Sequence, residues 1–137
     1  MPGQRPPARI LDAAANDGVT SDHARILAVV ERLRTAPDGP SSASICKELS
    51  AILTVHMAEE EAVDGVFVWL CALQPQVQDA VAGLISDHGL IRTEAAALLD
   101  VLPTDPGFSS MVRAFADHIQ EHERREAAVL WTATQGR

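Results

Sequence analysis

SDHARI at residues 21–26 and SDHGLI at 86–91 are near-copies, and each carries one of the five histidines of the chain. A second pattern also occurs twice: HMAEE from His56 and HERRE from His122, with a glutamate four residues on at Glu60 and Glu126. Residues four apart in a helix sit one above the other, with about 5 to 6 Å between Cβ atoms. An imidazole and a carboxylate so placed can converge on one metal ion. The four histidines and two glutamates together exceed the needs of a single tetrahedral zinc. They suit two ions bridged by the carboxylates, with the imidazoles outside. Taken singly, each mark also has an ordinary use: a lone His on an apolar face is commonly a satisfied core residue, and a lone HxxxE a surface pair. The repetition favours the metal.

The marks recur at nearly constant offset. His23 to His88 is 65 residues, while His56 to His122 and Glu60 to Glu126 are each 66. A loop absorbs one residue of slippage. The period is too long for a solenoid unit, and it fits two helical hairpins, each contributing one DH helix and one HxxxE helix. Packing them about a pseudo-two-fold axis would bring all six marks to one centre.

Four amphipathic segments must position these residues. The first, TSDHARILAVVERLRTA, has Ser21 as its expected N-cap and His23, Ile26/Leu27, Val30 and Leu33 on one face. PDGP at 37–40 is a loop, and a second helix is expected to begin near Ser42 to Ser44, with Leu49, Ile52/Leu53, His56, Glu60 and Val63 inward. VFVWLCAL at 66–73 has the composition of a strand, but a helical continuation or packed connector is the expectation. A third helix runs from Pro75 to about Val101, with Val77, Val81, Leu84, His88, Ile91, Ala95, Leu98 and Leu102 inward. Asp105 and Pro106 read as N-cap and first-turn proline of a fourth, whose stripe is Met111, Phe115, His118, His122, Glu126 and Val129. These elements predict an all-α fold, an antiparallel up-down four-helix bundle over residues 19–134. Residues 1–18, Pro-rich at their start, are expected to be a partly disordered extension.

A burial-prone stripe interrupted by polar groups needs a reason, because an unpartnered buried polar group costs roughly 1 to 3 kcal/mol. Composition narrows that reason. A formal net charge of -8 without a Lys/Arg cluster argues against nucleic acid and anionic membrane as partners. The chain has no tyrosine, three Phe and two Trp, too few for base stacking and none for a phenolate ligand. MPGQRPPARI has no apolar stretch of signal-peptide length, and no segment is apolar for long enough to span a bilayer. The two cysteines, Cys46 and Cys71, read as reduced packing residues of a cytoplasmic protein.

With SDHARIL, HMAEE, SDHGLIR and HERREAAVLW in this order, the sequence resembles the hemerythrin family in its bacterial HHE cation-binding form. The resemblance covers residues from about 20 to 133. It implies a non-haem di-iron centre with two iron ions per chain, Glu60 and Glu126 bridging, and His23, His56, His88 and His122 as further ligands. Other divalent metals could occupy the same donors. One feature departs from the family. Respiratory hemerythrins carry a His-x-x-x-His pair on their third helix, whereas here His118-x-x-x-His122 lies on the fourth. If His118 is a ligand, one iron has three imidazoles and the other two, leaving an open position. The alternative is a His118 that hydrogen-bonds one turn away. Ferritin-like di-iron bundles use Glu-x-x-His, which does not occur in this chain.

The leading expectation is a protein that binds dioxygen as carrier, store or sensor, with Ile26, Leu27, Ile91 and Phe115 keeping the pocket dry. The alternatives are an oxidoreductase acting on peroxide, nitric oxide or a small substrate, and an iron- or redox-responsive regulatory module. The oligomeric state is left open.

Overall fold

The computed structural model describes residues 21–135. Helix α1 occupies 21–34, followed by α2 (Gly39–Glu61), α3 (Val66–Leu73), α4 (Gln78–Asp100) and α5 (Phe108–Gln135), with a 3-10 turn at Pro75–Val77. There is no strand among the described residues. Cross-helix pairs fix the directions. Asp22 meets His56 while Arg32 meets Glu48, so α1 and α2 run antiparallel. Asp87 meets His122 while Glu94 meets His118, which makes α4 and α5 antiparallel. His23 meets Glu126 while Arg34 meets Asp117, so α5 closes back on α1. The four long helices form the expected up-down bundle.

The apolar faces divide into two clusters. Ile26, Val30, Leu49, Leu53, Ile91, Leu98, Phe115 and Ile119 belong to the larger one. Phe67, Trp69, Leu70, Val81, Leu84 and Ala133 belong to the smaller one, at the other end of the bundle. Each fully buried large side chain contributes about 1.5 to 3 kcal/mol. On α4 and α5 the histidines and glutamates of interest lie between the two clusters, and with those of α1 and α2 they form a polar layer beside the larger cluster.

Several boundaries differ from the sequence-based expectation. Ser21 is already helical, so the cap of α1 and the segment 1–18 fall outside the described residues. Helix α2 starts at Gly39 rather than Ser42 to Ser44. The Asp38 side chain accepts from the Ser41 backbone N–H at 2.8 Å, and Pro40 occupies the first turn. VFVWLCAL is a separate helix, because Val66, Phe67, Trp69 and Leu70 fall on one helical face and bury together. Helix α5 starts at Phe108, with Gly107 accepting from the Met111 N–H. Asp105 and Pro106 instead lie in the preceding turn, where the Asp105 N–H donates to the Leu102 carbonyl. Three residues expected inward are exposed: Leu27 (42%), Val63 (90%) and Leu102 (67%). Val63 and Leu102 lie beyond the ends of their helices, where the stripe no longer applies. Leu27 lies one position past Ile26, about 100° around the helix.

Gly65 shapes the step from α2 to α3. A Cβ there would lie 2.3 Å from the Glu59 carbonyl oxygen and 2.6 Å from that of Glu60. The chain turns against the end of α2 at the residue that supplies a central carboxylate, and only glycine fits that approach. Cys46 on α2 and Cys71 on α3 are both free thiols, and burial pushes Cys46 up to about 11.

Candidate metal centre

All four long helices send imidazole or carboxylate groups into the polar layer. His56 and Glu60 stand one turn apart on α2, as do His122 and Glu126 on α5, and His23 and His88 reach in from α1 and α4. His56, Glu60, His88, His122 and Glu126 are each at most 3% exposed. His23 is the most open, with 13% of its side chain exposed.

The inner nitrogens and carboxylate oxygens face one another without hydrogen bonds. His56 Nε2 lies 3.1 Å from Glu60 Oε2, and His88 Nε2 lies 3.3 Å from Glu60 Oε1. His23 Nε2 lies 3.2 Å from Glu126 Oε2, and His122 Nε2 lies 3.5 Å from Glu126 Oε1. Each glutamate therefore turns one oxygen to the His23/His56 side and the other to the His88/His122 side. Two groups of donors could each hold an ion: His23, His56, Glu123 and Glu126 on one side, His88, His122 and Glu126 on the other.

Glu123 belongs to this layer. It is 3% exposed and its Oε1 lies 3.3 Å from His23 Nε2. The one-turn spacing that picks out His122 and Glu126 does not select Glu123, which directly follows His122. The signal was present nonetheless: Ile119, Glu123 and Glu126 also recur at four and three residues, along the other edge of the same buried face.

His118 is not brought to the centre. Its Nδ1 lies 2.7 Å from Glu94 Oε1 and its Nε2 lies 2.7 Å from Asp87 Oδ1, so both ring nitrogens face carboxylates outside the layer. The structure thus assembles His23, His56, Glu60, His88, His122 and Glu126, and leaves His118 apart.

The outer nitrogens are held by carboxylates from neighbouring helices. His56 Nδ1–H donates to Asp22 at 3.0 Å and His122 Nδ1–H donates to Asp87 at 2.7 Å. His88 Nδ1–H donates to Glu61. Held through Nδ1, each of these rings turns its Nε2 inward, the arrangement that metal-ligating histidines use. Asp22 and Asp87 both open the DH motifs, and their partners are related by the internal duplication.

Electrostatics in the chain without metal divide the layer. Burial opposes charge on His56, but the Glu60 and Asp22 carboxylates outweigh it and raise the imidazole to about 9. Burial also opposes ionisation of Glu60, yet His56 and His88 hold its carboxyl below the ordinary value. Burial lowers His122 to about 4, with Asp87 offsetting only part of the effect. Glu123 is raised by burial against the pull of His23 and His56.

Ten side-chain atoms of His23, His56, Glu60, His88, His122, Glu123 and Glu126 are buried without a hydrogen-bond partner. A protein tolerates so many orphaned polar atoms only where something satisfies them, since each costs roughly 1 to 3 kcal/mol. Imidazole and carboxylate donors that converge at these distances fit a metal ion of borderline hardness. The hemerythrin HHE cation-binding domain model matches residues 14–133.

The chain belongs to the hemerythrin family. Searches of curated proteins and of solved structures give no significant match. Membership in the hemerythrin family implies cation binding within the helical bundle, and the donors of this layer could hold a metal ion. No helix among the described residues is long and apolar enough to cross a membrane.

Proposed function

We propose that this hemerythrin-family chain holds two iron ions in its polar layer and binds dioxygen reversibly, as carrier, store or sensor. The observation that carries the reading is the division of Glu60 and Glu126, each with one oxygen toward either side. His23, His56 and Glu123 would complete one ion, and His88 and His122 the other. When bound, a diferrous pair supplies two electrons to a diatomic ligand. Donor counting leaves the His88/His122 side poorer, because Glu123 stands on the His23 side. The asymmetry expected from His118 thus comes from Glu123 instead.

The chain's own residues keep that poorer side dry. The Phe67 ring stacks on His88 at 5.5 Å between centroids, and His88 is fully buried. Excluding water slows proton-assisted loss of a reduced ligand and oxidation of the metal. The test is metal analysis combined with an optical spectrum of the reduced protein before and after air is admitted. Two irons per chain and a stable, reversible oxygenated spectrum are expected. Uptake of no more than one ion per chain under any loading condition sinks the reading.

Glu123 favours a second reading. A third carboxylate hardens the donor set and stabilises oxidised iron, which suits an oxidoreductase consuming peroxide or nitric oxide. Rapid turnover of either, without a stable oxygenated form, would decide for it.

A further inference from the structure

Asp87 is divided between two histidines of the same helix. Its Oδ2 accepts from His122 Nδ1–H at 2.7 Å, and its Oδ1 lies 2.7 Å from His118 Nε2. Arg125 also donates to Oδ2 at 2.7 Å. His118 is gripped on its far edge by Glu94 at 2.7 Å. A neutral imidazole has a single N–H. Two carboxylates at this distance therefore require both His118 nitrogens to donate, which leaves the ring a cation with no lone pair for a metal. That cation, with Arg125, compensates the negative charge of Asp87, whose side chain is only 9% exposed.

We propose that His118 is a positioning residue for the metal centre: held by Glu94, it locks Asp87 so that Asp87 fixes the orientation and tautomer of His122. The inference rests on the dinuclear reading above. The other hairpin supplies an internal comparison. There Asp22 meets His56 at 3.0 Å, but its side chain is 36% exposed. The positions equivalent to His118 and Glu94 by the duplication are Ile52 and Val29, which can hold no carboxylate. Among the described residues the lock therefore exists on one side of the centre only, and its loss should be felt by one ion.

The test loads the full chain with Co(II) alone and follows its release to a chelator by the visible ligand-field bands, in wild type, His118→Ala, His118→Gln and Glu94→Gln. In His118→Ala one of the two ions should leave about tenfold faster or more, while the other keeps its wild-type rate. His118→Gln, which retains one N–H donor for Asp87, should recover part of the difference, and Glu94→Gln should move the same ion in the same direction. Helical circular dichroism monitors folding. Should His118→Ala fail to fold, Glu94→Gln decides, since Glu94 lies at the outer edge of the chain of bonds. Unchanged release of both ions, or equal acceleration of both, overturns the proposal. A wild-type chain that takes up fewer than two ions overturns the dinuclear reading and this inference with it. Two ions in wild type with indifferent variants overturns the inference alone.

Discussion

Glu60 and Glu126 occupy equivalent places in the two hairpins, and each splits its carboxylate between the two sides of the layer, Glu60 between His56 and His88 and Glu126 between His23 and His122. In the dinuclear reading proposed above, both glutamates serve both sides. Glu60→Ala and Glu126→Ala are therefore each expected to weaken binding of both ions, whereas His23→Ala should weaken mainly one. Metal content per chain after equilibration with a limiting chelator distinguishes these outcomes. Retention of one full-affinity ion in Glu60→Ala would contradict a shared carboxylate.

Phe67 couples α3 to the centre through its stacking on His88. It is 2% exposed and belongs to the smaller apolar cluster. Phe67→Ala should cost about 3 to 5 kcal/mol of stability, read by urea denaturation. It should also shorten the lifetime of the reduced, iron-loaded protein in air, because water would reach His88. A variant as air-stable as wild type would mean that dryness of this side comes from elsewhere.

Gly65 lies where a methyl group would meet two backbone carbonyls, those of Glu59 and Glu60. Backbone cannot swing away as a flexible side chain can. Gly65→Ala should lower the melting temperature and reduce metal content, because the strain falls on the end of α2 that carries Glu60. A normal melt with full metal content would show that the turn relaxes without disturbing that residue.

His118 gives the metal-free chain a defined pH response. Burial opposes its charge, but Glu94 and Asp87 outweigh that and raise its pKa above 6.5. A group raised on folding contributes its full stabilisation below the unfolded value and loses it as pH rises through the folded value. The stability difference between metal-free wild type and His118→Gln should accordingly be largest below pH 6.5 and shrink at alkaline pH. Denaturant titrations across that range check the sign, and a difference that grows with pH would show that His118 folds as a neutral ring.

The fold was legible because its causes are local and periodic. Apolar residues at three- and four-residue spacing set the long helices, and the 65- and 66-residue offsets of the marks implied paired hairpins. The misplaced features have physical reasons too. Val63 and Leu102 were assigned inward by extending a stripe past the end of its helix. VFVWLCAL has no polar residue to reveal its period, so its identity as helix α3 depended on what it packs against.

By itself, the sequence determined the all-α class, the order of the six marks, and the one-turn spacing that obliges His56 with Glu60 and His122 with Glu126 to share a helical face. Tertiary structure alone decided that Glu123 enters the layer and that His118 stands outside it. A stripe locates a face only to within about a residue, or about 100° of rotation. Which of two neighbouring side chains points inward depends on the helices that press against that face. For His118 the deciding partners, Asp87 and Glu94, lie on α4, 31 and 24 residues away in the chain.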